Sequence, residues 1–301
     1  MLFGLSTSPF GCGATAHAPP LKIQRGGPQH SPSVFGRTWA LAAPLCRLAH
    51  WRHHIIFAAI IMTNAQLPSF YAPQLAAGHS SHQLNPEAAR HALQVLRMQV
   101  GQALLLTNGQ GLLAQATIQV ATKKECTLSI GHTQQVPHSA SRPIAIAISP
   151  VKNASRFEWF VEKATELGVA HIFPLQCQRT VGAHFRLDRL QGVAISAMLQ
   201  SQQAWLPTLH QPMGLAQVLA QPFPQKLLAH CLATGTKSSL ASHAAQPSPG
   251  GVLLLVGPEG DFTPAEIEMA LAAGCQAISL GNTRLRTETA GVVGASVLSL
   301  V

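Results

Sequence analysis

From Ile144 onward the chain alternates short apolar runs with longer segments of helical periodicity, and this alternation constrains the fold most. The runs IAIAI (144–148) and VLLLV (252–256) are apolar throughout, as is typical of parallel strands covered on both faces. The segment FEWFVEKATELG (157–168) carries its apolar residues on one helical face and ends at Gly168, where a C-terminal cap is expected. Strands alternating with helices predict an α/β domain with a mostly parallel sheet.

Two further segments have explicit helix boundaries. In TPAEIEMALAAG, Thr263 is predicted as the N-cap, Glu266 completes a capping box and Gly274 ends the helix. The last helix is predicted from Thr289 to Val301. Together these elements place the C-terminal domain at residues 139–301.

Residues 62–138 instead predict a small β-rich domain. Apolar stretches that include 103–107 and 112–120 have the length of strands. Asn-Gly at 108–109, between those two stretches, is a strong hairpin signal because both residue types tolerate positive φ. A short helix is predicted to begin at His91.

Residues 1–61 contain no acidic side chain and show no clear periodicity. Their apolar run IIFAAIIM (55–62) comes last, unlike the core of a secretory signal, and is too short to span a bilayer. We predict a non-native or disordered extension, with Met62 as the natural start. An organelle transit peptide is the alternative.

Composition narrows the class of function. The formal charge of +9 and the pI of about 9.7 favour a polyanionic partner. The six cysteines are scattered without a CxxC pair, so neither a zinc site nor a disulfide framework is expected. Buried thiols in a reducing cytoplasm are the better interpretation. The sequence has no Walker loop, G-x-S-x-G elbow or HExxH motif, and it gives those chemistries no support.

Two loops at predicted strand ends are the candidates for chemistry, because α/β sheets bind ligands there. In VGPEGDF (256–262), Gly257 and Gly260 permit close approach of the backbone to a ligand, although a purely structural turn explains the motif equally well. In LGNTRLRTET (280–289), two arginines and a glutamate lie at a helix N-terminus. Charges in such a place are paired with each other or face a ligand.

In order and spacing, VGPEGDFTPAEIEMA and SLGNTRLRTETA resemble the bacterial ribosomal RNA small subunit methyltransferase E family, a branch of the SPOUT methyltransferases. The resemblance covers nearly everything after Met62, including EKATELGVAHIFPLQCQRTV. It implies methylation of N3 of a uridine in 16S ribosomal RNA of the small ribosomal subunit, with S-adenosylmethionine as the methyl donor. It further implies a PUA-like β-barrel RNA-binding domain over 62–138, a deep C-terminal trefoil knot and a homodimer, without membrane or metal.

The resemblance also assigns residues to the site. Both loops would hold the cofactor, through Gly257, Pro258, Glu259, Gly260, Leu280, Gly281, Leu285, Arg286 and Thr287. Four residues match other characteristic positions and are candidate RNA-binding residues: Arg97, Lys163, Arg179 and Gln200. The sequence departs from the family pattern at Asp261, where a second glycine is usual, and at Gln203, where a basic residue is frequent.

Uridine N3 is a poor nucleophile until its proton leaves, which defines two catalytic tasks. Arg286 is the candidate for stabilising the uracil anion, as an oxyanion hole does. Glu288 is the candidate for accepting the proton, with a water as the competing base. A purely structural role of Glu288, paired with Arg286 or with the helix N-terminus, is equally well supported, and Lys163 has a similar structural alternative in Glu166 one turn later.

Two other functions remain open at this point. One is a different SPOUT activity, ribose 2′-O-methylation, and the other is a non-catalytic RNA-binding protein that kept the PUA-like domain. Identifying the methylated atom distinguishes ribose 2′-O-methylation from N3 methylation. Measuring the affinity for S-adenosylmethionine tests the non-catalytic alternative, since loss of that affinity would favour an RNA-binding protein.

Overall fold

The computed structural model describes residues 67–122, 125–138, 142–181, 185–232, 236–246 and 248–300. All of these belong to one compact unit that spans residues 56–301. The predicted N-terminal extension and the proposed start at Met62 lie outside the described residues.

The first part of the chain forms a five-stranded sheet with one short helix. Its strands are β1 (Ser69–Tyr71), β2 (Ser81–Gln83), β3 (Ala103–Thr107), β4 (Leu112–Ala121) and β5 (Cys126–Gln135), and the helix α1 is Pro86–Arg90. The strand order is β1-β3-β4-β5-β2. β1 runs parallel to β3, and the other neighbouring strands are antiparallel.

The period-two pattern of β4 explains how this sheet is covered. Ala114 and Ala116 are buried in the core of this sheet, while Gln115 between them is exposed, so one face of the sheet packs inward and the other faces outward. The hairpin predicted at Asn-Gly is confirmed, since β3 and β4 pair antiparallel across it. Gly109 and Gly111 both have positive φ, at 71° and 88°.

The first helix begins earlier than predicted. Asn85 caps it by accepting a hydrogen bond from the backbone N–H of Ala88 at 2.8 Å, and Pro86 occupies its first turn. From His91 to Val95 the chain continues as a π-helical segment. The apolar spacing from His91 therefore marked the second half of this element.

The second part forms an eight-stranded sheet surrounded by helices. In chain order its elements are β6 (Ile144–Ile148), α2 (Ala154–Glu166), β7 (His171–Gln176), α3 (Leu187–Gln200), β8 (Thr208–Leu209), β9 (Met213–Gly214), α4 (Leu215–Leu219), β10 (Gln225–Ala229), β11 (Ser238–Ser239), α5 (Leu240–Ala244), β12 (Val252–Val256), α6 (Pro264–Ala272), β13 (Gln276–Ser279) and α7 (Thr287–Ser299). The order is β11-β13-β10-β12-β6-β7-β8, and β9 also pairs with β7. Every one of these pairings is parallel, which confirms the predicted α/β class.

This sheet has an apolar core on each face because successive side chains of a strand point in opposite directions. In β6, Ile146 belongs to a cluster that includes Phe160, and its neighbour Ala147 belongs to a second cluster with Phe173. The first cluster is completed by α2, α3, α5 and α7, and the second by α4 and α6. The continuous apolar runs of β6 and β12 are thus explained by burial on both faces.

Some element boundaries differ from the prediction. The apolar run KLLAHCL (226–232) predicts a buried strand. The observed strand β10 ends at Ala229, so His230 and Cys231 belong to the following loop. The segment DRLQGVAISAMLQSQQAW (188–205) predicts a helix that must stop by Pro207. The observed helix α3 ends earlier, at Gln200, because the chain turns at Gln202 with a φ of 55°.

The last helix starts two residues earlier than predicted. Arg286 is its N-cap residue, with extended backbone, and its carbonyl accepts the first helical hydrogen bond from Ala290 at 2.8 Å. The first turn of α7 therefore includes Thr287 and Glu288, and this decides their surroundings.

No helix within the described ranges is long and apolar enough to cross a membrane. The threading of a trefoil knot and the closure of the N-terminal sheet into a barrel stay predictions.

Candidate functional site

The carboxyl ends of β7, β6, β12, β10 and β13 meet along one edge of the sheet, since these five neighbours are parallel. This is the edge where open α/β sheets bind ligands. The two loops singled out in the sequence both lie here, one after β12 and the other between β13 and α7. The loop that follows β10 lies between them.

A side-chain hydrogen bond joins the two loops. The buried Thr287 hydroxyl donates to the carbonyl of Gly257 at 3.2 Å. Within the first loop Gly257 and Pro258 are buried, whereas Glu259 and Gly260 are exposed. In the second loop Leu280 and Leu285 are half-buried, whereas the residue that follows each of them, Gly281 and Arg286, is exposed. The structure therefore brings together the residues assigned to cofactor binding.

Gly257 is required by the packing of its own loop. A Cβ at this position would lie 2.9 Å from ring atoms of Phe262, whose side chain is fully buried. The tight turn places Phe262 in the second cluster, which also contains Ala147 and Phe173. An alanine at position 257 would force this turn open.

The surroundings of Asp261 show how an aspartate is accommodated where the family usually has glycine. Its φ of 64° lies in the left-handed region, which glycine adopts freely and which aspartate tolerates better than most residues. Its carboxylate accepts hydrogen bonds from the backbone N–H groups of Cys231 at 2.8 Å and of Phe262 at 2.9 Å. A glycine here would adopt this conformation without strain, whereas Asp261 uses its carboxylate to connect the loop after β12 to the loop after β10. We call this connection the clamp.

Further contacts fasten the loop after β7 to the same edge. Arg179 donates to the carbonyl of Gly260 at 2.8 Å, and Glu266 accepts from the backbone N–H of Gln178 at 2.8 Å. Burial alone would raise the pKa of Glu266, but hydrogen bonds from Thr263 and Gln178 outweigh it and lower that pKa. The predicted capping box of Thr263 and Glu266 is confirmed, and Glu266 additionally holds a site loop.

Cys177 is excluded as a nucleophile in this loop. Burial, helped by the charge of Glu266, raises the pKa of its thiol to about 12, so the thiol stays protonated near neutral pH. The thiols of Cys126 and Cys275 are buried as expected, whereas Cys231 is exposed.

The two predicted catalytic residues have different surroundings. Arg286 is exposed, and its side chain makes no capping hydrogen bond to α7. Glu288 is only 5% exposed, and its Oε1 lies 3.8 Å from Nε of Arg156 in the first turn of α2. Its Oε2 has no hydrogen-bond partner among the described residues. The ion-pair partner of Glu288 is thus Arg156, which the sequence reasoning did not identify.

The candidate RNA-binding residues are not gathered at one place. Arg97 is exposed in the N-terminal part with a φ of 54°, and Gln200 is exposed at the end of α3. Lys163 contacts Glu162 at 2.8 Å and Glu166 at 2.9 Å, and these hydrogen bonds raise the pKa of Lys163. Its predicted structural pairing with Glu166 is confirmed.

Gln203 has a structural role at the position where a basic residue is frequent. Its side-chain amide donates to the carbonyls of Thr165 at 3.0 Å and Glu166 at 2.7 Å. These carbonyls lie at the end of α2, where the last helical carbonyls lack the usual i+4 partner. The carbonyl of Thr165 also accepts from the backbone N–H of Gly168 at 3.0 Å. A basic side chain at position 203 would satisfy the same carbonyls and complement the helix dipole.

The sequence reasoning missed His230 as well as Arg156. His230 follows β10 at the carboxyl edge, is buried, and its Nδ1 has no partner among the described residues. Burial and the charge of Lys237 lower its pKa, partly offset by Asp261. Its place directly after a central strand was a usable signal, whereas nothing local in the sequence marks Arg156.

No group of three His, Cys, Asp or Glu side chains in the described part of the chain is arranged to hold a metal ion.

Both parts of the chain match known families of RNA methyltransferase domains. Residues 138–299 match the RNA methyltransferase domain family, and residues 84–131 match the RNA methyltransferase PUA domain. Ribosomal RNA small subunit methyltransferase E from Synechocystis sp. is 32% identical over 211 residues, which cover 68% of this chain and 69% of that protein. The chain belongs to the ribosomal RNA small subunit methyltransferase E family.

Solved structures related to this family have the same fold. A probable rRNA-methyltransferase from Porphyromonas gingivalis aligns with a TM-score of 0.70 at 37% identity, over 76% of this chain and 95% of that one. The ribosomal RNA small subunit methyltransferase E of Neisseria gonorrhoeae aligns with a TM-score of 0.68 at 28% identity, over 77% of this chain and 96% of that one. That second structure contains bound S-adenosylmethionine.

Proposed function

We propose that this chain methylates N3 of a uridine in 16S ribosomal RNA of the small ribosomal subunit, with S-adenosylmethionine as the methyl donor, and that it works in the cytoplasm as a homodimer. The observation that carries the proposal is the junction of the two loops, in which Thr287 reaches Gly257 and the buried Glu288 begins α7 beside them. Family membership supports the reaction class, and the cofactor seen in the Neisseria relative supports the donor.

The residues at the carboxyl edge fit such a cofactor. Gly260 and Gly281 expose backbone at this edge, and no other atom lies within 4 Å of where a Cβ of Gly281 would be. Leu280 and Leu285 offer half-buried apolar surface. The unpartnered Oε2 of Glu288 also fits a site that is completed by a ligand, because buried polar atoms are nearly always hydrogen-bonded. A sulfonium donor supplies a methyl group that is already electrophilic, which leaves positioning and proton removal to the protein.

The protein's own contribution would be made by two side chains. Arg286, exposed at the N-cap of α7, would donate to a uracil carbonyl and stabilise the anion that forms when N3 loses its proton. Glu288 would accept that proton through its free oxygen, or orient a water that does so. Arg156 would hold the other oxygen and keep the carboxylate in place.

Substitution of these residues tests the assignment. Arg286→Ala should abolish methylation of unmodified 16S ribosomal RNA while the protein stays folded and dimeric, as checked by circular dichroism and sedimentation. Normal turnover by that variant would remove Arg286 from the mechanism. Glu288→Gln keeps the shape of the side chain, so near-normal activity would exclude Glu288 as the base.

The methylated atom decides between this function and its nearest alternative. Mass spectrometry of nucleosides from the treated RNA should find 3-methyluridine, whereas a 2′-O-methylated ribose would identify another SPOUT activity. Failure to bind S-adenosylmethionine in calorimetry would leave a non-catalytic RNA-binding protein.

We further propose residues 62–138 as the RNA-binding domain and 139–301 as the methyltransferase domain. The exposed side chains of Arg97, Arg179 and Gln200 are the candidate RNA contacts, while Lys163 is already engaged by two glutamates. If Arg97 and Arg179 bind phosphates, neutralising either should reduce the slope of log RNA affinity against log salt concentration by about one. Because N3 is a base-pairing atom, the target uridine must be unpaired or flipped out when it reacts.

A further inference from the structure

A groove of about 730 Å³ lies where the N-terminal sheet meets the second part of the chain. Its walls include the amino ends of β6 and β7, the last residues of α2 and α7, and the segment 201–207. These elements mark the edge of the parallel sheet opposite to the cofactor loops, because each strand runs from the groove toward those loops. The groove is therefore separate from the site described above.

The floor of the groove combines apolar and amide side chains on the outward face of the N-terminal sheet. Leu105 pairs with Gln115 across β3 and β4, and Leu113 pairs with Gln134 across β4 and β5, so the four side chains share one face. The side-chain amides of Gln115 and Gln134 have no hydrogen-bond partner among the described residues. Amides of this kind can donate to and accept from the edge of a nucleobase.

Aromatic rings form part of the wall above this floor. The rings of Trp205 and His138 lie 4.6 Å apart, tilted by 55°. The indole N–H of Trp205 donates to the carbonyl of Val136 at 3.2 Å, which fixes the ring in place. Fixed aromatic surfaces beside open amides are the usual means of holding an unpaired base.

The groove carries little free charge. Of its described lining residues, Arg142 and Glu166 are the permanently charged ones. The terminal nitrogens of Arg142 are bonded to the carbonyls of His243 and Ala244 and to Gln225, and Glu166 is paired with Lys163. The Nε of Arg142 has no partner among the described residues, but it is buried. A phosphate would therefore meet no exposed, unpaired cation among the described lining residues, whereas a neutral base would meet stacking and hydrogen-bonding partners.

Hydrogen bonds join the N-terminal sheet to the second part of the chain beside the groove. The turn after β3 docks on segment 204–206: the N–H of Gly111 donates to the carbonyl of Ala204 at 2.9 Å, and the N–H of Leu206 donates to the carbonyl of Gly109 at 2.9 Å. The Thr107 hydroxyl adds a third bond, to Ala204 at 3.4 Å. A preformed groove loses less entropy when a ligand binds.

We propose that this groove binds one unpaired nucleotide of the RNA substrate, distinct from the methylated uridine, and recognises its base rather than its phosphate. The proposal rests on the RNA substrate of the proposed function. A nucleotide held at the amino edge of the sheet cannot be the methyl acceptor at the carboxyl edge of the same chain. A nucleotide bound in the groove would therefore fix a second position of the RNA relative to the uridine that is methylated.

The test compares RNA binding of a double variant with that of a matched control. Gln115→Leu with Gln134→Leu removes both amides from the floor, and Gln119→Leu changes an exposed glutamine of the same strand outside the groove. Affinity for an unmodified 16S ribosomal RNA transcript is measured at several salt concentrations. Affinity for S-adenosylmethionine is measured by calorimetry, and KM and kcat with the same RNA.

We expect the double variant to bind the transcript roughly tenfold more weakly than Gln119→Leu, as for the loss of a good base contact. The salt dependence should stay unchanged because no phosphate contact is lost. KM for RNA should rise while kcat and affinity for S-adenosylmethionine are kept.

Four results would overturn the proposal. RNA affinity equal to that of the control would show that no base is bound, and a change of oligomeric state alone would assign the groove to a second copy of the chain. A reduced salt slope would indicate a phosphate contact, and loss of cofactor affinity would indicate damage to the fold. Methyl transfer to another atom by the unaltered chain would instead refute the proposed function, while the RNA affinities would still decide the groove.

Discussion

Gly291 lies one turn after Glu288 in α7, and its lack of a side chain lets this helix approach the sheet. A Cβ at position 291 would lie 2.6 Å from Cε2 of Phe160 and 2.7 Å from Cδ1 of Ile148. Both of those side chains are fully buried in the first cluster and have little room to move. Gly291→Ala should therefore push the start of α7 away from the sheet and lengthen the bond between Thr287 and Gly257.

The magnitude follows from a comparison with Gly192→Ala in α3. Gly192 is also helical, and a Cβ there meets nothing within 4 Å. Both substitutions gain the same helix propensity, about 0.5–1 kcal/mol. Only Gly291→Ala overfills a packed core, which costs about 1–3 kcal/mol. We expect Gly192→Ala to be slightly stabilised, and Gly291→Ala to unfold with about 1–3 kcal/mol less free energy than that control.

Urea denaturation of both variants measures this difference, and calorimetry with S-adenosylmethionine measures its effect on the site. A loss of 1 kcal/mol corresponds to roughly 2–4 °C in Tm for a chain of this size. Cofactor affinity should fall for Gly291→Ala and stay unchanged for Gly192→Ala. Equal stability and equal cofactor affinity of the two variants would refute the argument that Gly291 sets the position of α7.

Three further predictions concern other contacts. Gly111→Ala and Gly101→Ala both place alanine at a φ of 88°, but only the Cβ at position 111 would clash with another side chain, the ring of Trp205. Urea denaturation should show the larger loss of stability for Gly111→Ala, by about 1–3 kcal/mol, and equal losses would contradict the importance of the junction between the turn after β3 and segment 204–206. Asp261→Gly relieves a left-handed backbone but removes two hydrogen bonds, and the one from Cys231 joins two loops. Calorimetry should show weaker cofactor binding than for the unaltered chain, and unchanged affinity would exclude the clamp. Burial lowers the pKa of His171 and of His210, which lie 3.3 Å apart. Below about pH 6.5 the unfolded chain therefore binds protons more readily, and the free energy of unfolding should decrease on acidification; His210→Gln should flatten this dependence in urea denaturation at several pH values, and an unchanged slope would assign it to other groups.

Much of the fold was predictable because its signals are local. The apolar runs of β6 and β12, the capping box at Thr263 and the Asn-Gly hairpin each depend on a few neighbouring residues, and each is present. Boundaries were less accurate where a single backbone angle decides them, as at Gln202. The first helix was placed too late because its start depends on the cap at Asn85 rather than on apolar spacing.

The candidate site was predictable only in part. Loop positions followed from strand order, and the family resemblance assigned their residues. For a structural role of Glu288 the sequence suggested Arg286 or the helix N-terminus as partner, whereas the ion-pair partner in the structure is Arg156. Arg156 and Glu288 are separated by most of the domain in sequence and meet because α2 and α7 pack on the same face of the sheet. No pattern within either segment could reveal that contact.

The sequence by itself determined the class of the fold, the hairpin, the capped helices and the two glycine-containing loops, since propensity and periodicity act over a few residues. Only the tertiary structure decided that Thr287 bonds Gly257, that Asp261 clamps two loops, that Gln203 completes α2 and that a neutral groove opens behind the sheet. These depend on which strands become neighbours in space. Strand neighbours are selected by the packing of the whole chain rather than by any short segment.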